Sequence, residues 1–460
     1  MAVKGALYFC TECGAESLKW QGQCGACGAW NTLREAPAGS ASARPAGSAR
    51  KPAAAAAPAE VVRLNEVAAQ PGQRMPTGLA EFDRVLGGGL VKGSVVLLGG
   101  DPGIGKSTIL LQVAGGNPAN AQTLYVSGEE SLEQLSLRSQ RLGLAEAGVR
   151  AIAETSLDAV LTAVEAERPA WLIIDSVQTL SLNEVGSAPG SPVQLRECTA
   201  ALVRLAKTRG VAVTLVGHVT KEGQIAGPRM LEHMVDVVLY FESESGSRFR
   251  VLRSVKNRFG AVNELGVFVM DSAGLKQVRN PSAIFLTGRQ SGAPGSAVTA
   301  CHEGSRPMLL EVQALVSDAG AGMARRVSPG MDHNRLAMLM AVLARHSGVA
   351  AYDRDVFVNF VGGLRVSETA ADLAVAAAVW SSVRHQALPD GLVLFGELGL
   401  SGEVRPAPYG EERLREAAKL GFKRAVIPAA NRPRKPIKGM ETVGVKRLDE
   451  ALEALAQPAA

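Results

Sequence analysis

The chain has 460 residues, which is too long for one compact domain and suggests two to four. A hydrophobic fraction of 47% with 20% charged residues is ordinary for a soluble globular protein, and a net charge of +5 permits a nucleic-acid partner without arguing for one. No apolar run reaches the length that spans a bilayer and the N-terminus lacks a hydrophobic signal region, so we expect a cytoplasmic protein without a membrane partner.

Four of the six cysteines form two CxxC pairs near the N-terminus, Cys10 with Cys13 and Cys24 with Cys27. Each pair lets two thiolates converge on one ion, and two pairs complete a tetrahedral site of four sulfurs. Two chance pairs or a redox motif are the alternative, but the pairing and spacing favour zinc. We therefore predict a zinc finger over residues 1–32, whose folding depends on Zn²⁺.

The composition changes twice after this segment. Residues 33–60 are mostly Ala, Pro, Gly and Ser with almost nothing to bury, so we predict a flexible linker. Residues 61–275 alternate apolar strand patterns with helical ones, which predicts an α/β domain with a mainly parallel sheet. A second alternating region, residues 276–460, predicts a separate α/β or α+β domain. The strand patterns of the first region are SVVLLGG, TLYVSG, AWLIIDS, VAVTLVGH, DVVLYFE and FRVLRSV.

The segment SVVLLGGDPGIGKSTILL has the pattern of a phosphate-binding loop between a strand and an apolar helix. Its glycines let backbone N–H groups wrap a phosphate chain, Lys106 supplies positive charge to the outer phosphates, and Ser107 can ligate magnesium. The helix that begins here also directs its positive end at the anion. The predicted nucleotide-binding residues of the loop are Gly100, Asp101, Pro102, Gly103, Ile104, Gly105, Lys106, Ser107 and Thr108.

Acidic residues at the ends of two further strands complete the predicted nucleotide site. WLIIDS places Asp175 at the end of an apolar strand, where a carboxylate can hold Mg²⁺ through water. YVSGEES ends another strand with Glu129 and Glu130, one of which could orient and deprotonate an attacking water. The alternative is that both glutamates only stabilise the N-terminus of the following helix through their negative charge. We favour Glu129 as the catalytic residue.

Two polar loops and one pair of cations have two interpretations each. Residues 181–193 and 220–230 follow strand ends beside the nucleotide, so they either line a channel for single-stranded nucleic acid and switch with the nucleotide, or are ordinary surface loops. The segment VKNRFG carries Lys256 and Arg258 at a strand end. Spaced by two on an extended chain, these cations are either solvent-facing charges or a pair that meets one γ-phosphate.

The four cysteines, GGDPGIGKST, YVSGEES, LIIDSVQT, GHVTKEGQIAGPRMLEHMVD and KNRFG, in this order, closely resemble the bacterial RadA (Sms) family of DNA-recombination ATPases. The resemblance implies a zinc finger, a RecA-like ATPase core and a C-terminal domain similar to the Lon protease domain. It further implies a homo-hexameric ring related to DnaB-type helicases. Such a ring hydrolyses ATP, moves on single-stranded DNA and promotes branch migration of recombination intermediates in repair, with the recombinase RecA as an expected partner.

The resemblance also implies roles for individual positions. Lys106, Ser107 and Asp175 match the family's nucleotide motifs, and Glu129 matches its catalytic glutamate. The DNA-facing loops of RecA-like proteins correspond to the two polar loops, in which Lys221 and Arg229 are the candidate phosphate contacts. KNRFG matches the family's signature, and in related rings the equivalents of Lys256 and Arg258 reach the neighbouring subunit's nucleotide.

The C-terminal region departs from the Ser–Lys dyad of Lon-type proteases. ETAAD has Ala370 where the serine would stand, YGEERL has Glu411 near the lysine position, and Ser367 lies outside the motif. Alanine has no nucleophilic oxygen and glutamate cannot serve as a neutral amine base, so we expect no protease activity. An ATP-dependent protease and a nucleotide-dependent scaffold are the two alternatives to the DNA motor.

Overall fold

The structure is a computed structural model that describes residues 8–10, 16–17, 19–25, 28, 30–35, 74–116, 122–218, 230–243, 248–319, 323–362 and 365–456. The chain divides into two compact units. The first, here the ATPase unit, comprises residues Met1–Phe241, Ser254–Gly260 and Ser272–Leu275, and the second, here the C-terminal unit, comprises the rest. The predicted boundaries at residues 32, 60 and 275 stay predictions.

Three short strands occupy the start of the chain, β1 (Tyr8–Cys10), β2 (Glu16–Ser17) and β3 (Leu33–Glu35). Both neighbours pair with β1 in antiparallel register, which gives the sheet order β2-β1-β3. The apolar cluster beneath this sheet is small and contains Cys10, Cys24 and Leu33, with Tyr8 packed against it.

The remainder of the ATPase unit alternates strands with helices. Its elements are β4 (Arg74–Met75), α1 (Ala80–Leu86), β5 (Leu90–Val91), β6 (Val95–Gly100), α2 (Lys106–Gly116), β7 (Thr123–Ser127), α3 (Leu132–Arg141), β8 (Arg150–Ala153), α4 (Leu157–Glu167), β9 (Trp171–Asp175), α5 (Pro192–Arg209), β10 (Ala212–His218), α6 (Met230–Met234) and β11 (Val237–Glu242). Six of these strands pair in parallel in the order β11-β6-β10-β9-β7-β8. The predicted mainly parallel α/β sheet is confirmed.

The burial pattern explains why these strands pair in parallel. Every residue of β6, β7 and β9 is buried, as expected of strands that helices cover on both faces. Helix α5 is the longest of the unit and has clear end signals, because Ser191 caps its N-terminus, Pro192 is its first residue and Gly210 follows it with a φ of +69°. In a parallel sheet all strands end at one edge, so the loops after β6, β7, β9 and β10 meet there. We call this edge the carboxyl edge and the opposite one the amino edge.

The chain then passes through β12 (Phe249–Asn257), β13 (Leu265–Asp271) and β14 (Gly274–Gln277) into the C-terminal unit. The further elements are α7 (Pro281–Phe285), β15 (Ser296–Glu303), β16 (Arg306–Asp318), β17 (Arg326–Val327), α8 (His333–Ser347), β18 (Arg354–Phe360), α9 (Asp372–Arg384), β19 (Leu392–Leu394), β20 (Glu397–Leu398), β21 (Val404–Arg405), α10 (Gly410–Lys419), β22 (Arg424–Pro428), β23 (Glu441–Val445) and α11 (Leu448–Ala456).

The C-terminal unit is built on a seven-stranded mixed sheet in the order β17-β18-β16-β15-β19-β22-β23. The strands β15, β16 and β18 pair in antiparallel register, and β19, β22 and β23 extend the sheet in parallel. Helix α9 is buried from Asp372 to Ser382, which agrees with its almost wholly apolar sequence. None of the helices within the described ranges combines the length and apolarity that a membrane crossing requires.

Candidate nucleotide site

The predicted phosphate loop lies between β6 and α2 at the carboxyl edge. Gly100 ends the strand with a φ of +152°, and a Cβ atom there would lie 2.8 Å from the carbonyl oxygen of Phe241, so only glycine fits. Gly103 and Gly105 also have positive φ angles, and Lys106 begins the helix. This strand–loop–helix geometry is the context that phosphate binding by backbone N–H groups requires.

Lys106 is buried inside the loop. Its Nζ atom donates to the carbonyl oxygens of Gly100, at 2.7 Å, and Asp101, at 2.9 Å. Burial lowers the pKa of its ammonium group, and the nearby charges of Asp175, Glu129 and Asp101 oppose this shift. The structure therefore brings the predicted lysine together with both predicted carboxylates.

Asp175 is the last residue of β9, and a buried tyrosine orients it. The hydroxyl group of Tyr125, in the middle of the neighbouring β7, donates to Asp175 Oδ2 at 2.5 Å. Burial, and then the charge of Asp175, raise the pKa of Tyr125 well above its ordinary value, so this hydroxyl stays a donor. The sequence analysis missed Tyr125, although a tyrosine in a fully buried strand needs a hydrogen-bond partner.

The structure separates the roles of the two adjacent glutamates after β7. Ser176, directly after Asp175, donates its hydroxyl to Glu129 Oε1 at 2.5 Å. Glu130 instead forms an ion pair with Arg138 of α3. Glu129 therefore lies with Asp175 and Lys106, whereas Glu130 is held against a helix.

This donor set fits a nucleoside triphosphate and its magnesium ion. The loop supplies backbone N–H groups and Lys106 for phosphate oxygens, while Ser107 and Asp175 supply the hard oxygen ligands that Mg²⁺ prefers. Mg²⁺, when bound, neutralises charge on the phosphates as hydrolysis proceeds. Glu129, the predicted catalytic residue, lies at this same edge.

The cations of the VKNRFG segment meet the turn that links α6 to β11. Lys256 Nζ donates to the carbonyl oxygens of Glu232 and Val235 at 2.7 and 2.8 Å, around the C-terminal end of α6. Partial burial, and then the charge of Arg258, lower the pKa of Lys256. The Arg258 side chain is 59% exposed and lies 3.4 Å from Asp236 Oδ1. Lys256 thus stabilises the turn, whereas Arg258 extends into solvent.

This pair lies at the amino edge, away from the phosphate loop. Asp236 Oδ2 accepts from the backbone N–H of Val95 at 3.0 Å, and Val95 begins β6, whereas the phosphate loop follows Gly100 at its end. Five residue steps of ~3.3 Å place the two edges about 16 Å apart. Arg258 therefore lies too far from the phosphate loop of its own chain for its side chain to reach it.

Of the two predicted DNA-facing loops, the structure describes residues 181–193. This loop is held by Gln194, a buried residue of α5 that the sequence analysis missed. Lys221 and Arg229, the predicted DNA contacts in the other loop, lie outside the described residues.

Two of the four predicted zinc ligands are described. Cys10, at the end of β1, and Cys24 are both buried in the small N-terminal cluster. The turn after Cys24 is closed by a hydrogen bond of 2.9 Å from the N–H of Gly28, whose φ is +74°, to the Cys24 carbonyl oxygen. Two buried thiols and this tight turn fit a tetrahedral zinc site. Cys13 and Cys27 lie outside the described residues.

Ala370 and Glu411, predicted to stand at the positions of the Lon-type serine and lysine, both lie in described parts of the C-terminal unit. Ala370 is buried directly before α9, and Glu411, in the first turn of α10, pairs with Arg415 at 3.1 Å. Next to Ala370, Glu368 forms an ion pair with Arg413, whose side chain is fully buried. This region of the unit therefore contains an ion pair between a buried arginine and a half-buried glutamate.

Three family models match the chain. Residues 8–35 match the rubredoxin metal binding domain, residues 66–224 match the AAA domain, and residues 335–431 match subunit ChlI of Mg-chelatase. These matches cover the N-terminal strands, the phosphate-loop core and the part of the C-terminal unit from α8 to β22. They confirm the predicted order of a zinc ribbon, a P-loop ATPase core and a Lon-like region.

Curated relatives match the chain over its whole length. It is 56% identical to the DNA repair protein RadA of Pseudomonas aeruginosa, over 99% of this chain and 100% of the relative. It is 51% identical to the protein of that name from Escherichia coli over 97% of both chains, and 48% identical to that of Bacillus subtilis over 98% of this chain and 99% of the relative. The chain belongs to the family of the bacterial DNA repair protein RadA.

Proposed function

We propose that the protein is a DNA-dependent ATPase that acts as a ring-shaped motor on single-stranded DNA and promotes branch migration of recombination intermediates during DNA repair. The observation that carries this proposal is the meeting of Lys106, Asp175 and Glu129 at one edge of a parallel sheet. The relatives' name and the match to the AAA domain support a DNA repair ATPase.

The proposed chemistry is attack of water on the γ-phosphorus of ATP, which breaks its bond to the β–γ bridging oxygen and releases ADP and phosphate. The loop and Lys106 bind and orient the phosphates, and Ser107 and Asp175 hold Mg²⁺. Glu129 accepts a proton from the water that attacks in line, and Ser176 orients its carboxylate through one oxygen. Tyr125 fixes the direction of Asp175.

The position of Arg258 favours a ring of identical subunits. An arginine at the amino edge can reach a nucleotide only in another copy, whose carboxyl edge would face it. Such a contact joins different surfaces of two identical chains. Repeating it produces a ring when the successive rotations from copy to copy lead back to the first copy. We propose a hexamer in which Arg258 supplies charge to the neighbour's γ-phosphate and Lys256 holds the α6–β11 turn, beside the Asp236 that pairs with Arg258.

The remaining proposals concern partners. We propose that Lys221 and Arg229 contact DNA phosphates, that Cys10, Cys13, Cys24 and Cys27 bind Zn²⁺, and that the recombinase RecA is a partner. The C-terminal unit would support assembly without cutting peptides, since Ala370 lacks a nucleophilic oxygen.

One experiment tests the central proposal. ATP hydrolysis, with and without single-stranded DNA, and branch migration would be measured for the wild type and Lys106→Ala. We expect DNA to stimulate the wild type, and Lys106→Ala to lose hydrolysis by roughly 10²-fold or more together with all branch migration. Lys92→Ala, which removes an exposed lysine of the same unit, is the matched control and should behave as wild type.

Two results would contradict the proposal. Equal hydrolysis with and without DNA, combined with no DNA binding, would exclude a DNA-dependent ATPase. DNA-stimulated hydrolysis without branch migration or strand displacement would instead support a nucleotide-dependent scaffold.

A further inference from the structure

The loop at residues 181–193 owes its shape to one buried side chain. Gln194, in the first turn of α5, is only 2% exposed. Its Oε1 atom accepts from the N–H of Leu182 at 3.0 Å, and its Nε2 atom donates to the carbonyl oxygens of Leu182, Val185 and Ser187 at 3.1, 2.9 and 3.0 Å. One amide thus binds backbone groups of three loop residues.

Both ends of the loop are also fixed. At its start, the N–H of Ser181 donates to the carbonyl oxygen of Thr155, and the Ser181 carbonyl oxygen accepts from the N–H of Leu157, both at 2.9 Å. At its end, Ser191 caps α5 and donates its hydroxyl to that of Ser187 at 3.0 Å. Hydrogen bonds within the chain therefore hold the loop at both ends as well as at its centre.

The loop can contact an anion only through its backbone and its neutral polar groups. Residues 181–193 contain no lysine or arginine, and Glu184 is their one charged residue. Asn183, Glu184 and Gly186 are exposed, and within the described part of the chain their N–H groups donate to no other group. The Gln194 amide binds carbonyl oxygens of the loop, and the three N–H groups remain available to bind a ligand. The groups of Asn183 and Glu184 are adjacent, and exposed N–H groups of this kind suit phosphate oxygens.

We propose that Gln194 is a positioning residue that shapes loop 181–193 so that its backbone N–H groups bind phosphate oxygens of single-stranded DNA. This inference rests on the proposed function. It adds a contact that depends on loop geometry, whereas the proposed contacts of Lys221 and Arg229 depend on charge.

The decisive variant is Gln194→Met, which keeps the volume of the side chain and removes its hydrogen bonds. DNA-stimulated hydrolysis would be measured against the concentration of a poly-dT oligonucleotide. We expect the half-saturating concentration of DNA to rise roughly tenfold, which corresponds to the net free energy of one or two hydrogen bonds. The rate without DNA and the rate at saturating DNA should stay near those of wild type. Gln140→Met, at an exposed position of α3, is the matched control.

Salt dependence separates this contact from a charged one. A lysine or arginine contact to phosphate adds about one to the slope of log affinity against log salt concentration, and a backbone contact adds none. The slope for Gln194→Met should therefore equal that of wild type, although the binding is weaker. A lowered slope would overturn the inference, because it would mean that a cationic contact had been lost.

The same measurements distinguish failure of this inference from failure of the proposed function. If wild-type hydrolysis does not respond to DNA, the proposed function is wrong. If wild type responds and Gln194→Met has the same half-saturating concentration, the inference is wrong. If Gln194→Met loses DNA-free hydrolysis to the same degree as DNA binding, Gln194 supports the nucleotide site instead, and the inference is again overturned. Thermal melting of both variants checks that each is folded.

Discussion

Glu129 and Glu130 are neighbours in the chain but lie in different environments. Ser127 fixes the backbone here, since its hydroxyl donates to the Glu130 carbonyl oxygen at 2.8 Å and accepts from the Glu130 N–H at 3.0 Å. The two side chains then diverge, one toward Ser176 and the nucleotide site and the other toward Arg138. A general base must lie near the water that it deprotonates, so the arrangement supports Glu129.

Exchange of each glutamate for glutamine tests this assignment. Glu129→Gln keeps the shape but removes the base, so we expect the rate of ATP hydrolysis to fall roughly 10²–10⁴-fold with nucleotide affinity nearly unchanged. Glu130→Gln should change the rate by less than roughly threefold, since it alters only a partly exposed ion pair. Single-turnover hydrolysis and equilibrium binding of a fluorescent nucleotide measure both quantities. A large loss of rate in Glu130→Gln alone would reverse the assignment.

Motif residues could be predicted from the sequence because their neighbours along the chain define them. Lys106 and Asp175 follow apolar strands, and a parallel sheet brings strand ends together. Tyr125 and Gln194 could not be predicted in this way. The hydroxyl of Tyr125 meets a carboxylate 50 residues later, and the partners of Gln194 are backbone groups, which leave no pattern in the side chains.

At the scale of elements, the apolar patterns located all six strands predicted within residues 61–275, as β6, β7, β9, β10, β11 and β12. In the C-terminal unit, one apolar run does not correspond to one strand. GLVLFGELGL forms two strands, β19 and β20, because Gly396 turns the chain between them with a φ of +154°. Helix α10 also carries an interaction that periodicity does not reveal, the buried Arg413.

Arg413 is a buried arginine that connects α10 to neighbouring segments through hydrogen bonds and an ion pair. Its guanidinium donates to the carbonyl oxygen of Pro408 at 2.8 Å and pairs with Glu368 beside Ala370. Arg413→Met would leave Glu368 without its charge partner, so we expect the free energy of unfolding of the C-terminal unit to fall by about 3 kcal/mol, at the low end for a broken buried pair. Urea unfolding followed by hydrogen exchange of α10 peptides measures this.

Two further variants test the cause of that loss. Arg415→Met, on the exposed face of the same helix, should change the free energy of unfolding by less than about 0.5 kcal/mol. Adding Glu368→Gln to Arg413→Met should recover part of the loss, because the second change removes the uncompensated charge. If the double variant is as unstable as Arg413→Met, lost packing rather than lost pairing explains the effect.

At the scale of the whole molecule, the sheet of the ATPase unit separates two groups of predicted site residues. The carboxyl edge carries Lys106, Asp175 and Glu129, and the amino edge carries Arg258. Sequence order alone could not show this separation, because it depends on the direction of each strand in the sheet. In the proposed ring, each chain would therefore offer one half of a site at each edge, and two copies would combine a phosphate loop with an arginine.

Mixing two inactive variants tests whether the site is shared. Arg258→Ala should retain nucleotide binding while hydrolysis falls, by up to ~10³-fold if the arginine stabilises charge in the transition state. In rings mixed at equal amounts with Lys106→Ala, roughly one interface in four would join an intact phosphate loop to an intact arginine, so hydrolysis should return in part. Steady-state ATPase rates of pre-mixed and separately assembled proteins measure this.

Lys207→Ala, which removes the other cation on Asp236, is the matched control and should keep its activity without mixing. Mixed rings that stay inactive would contradict a site shared between copies, and Arg258 would then act elsewhere, for example on DNA.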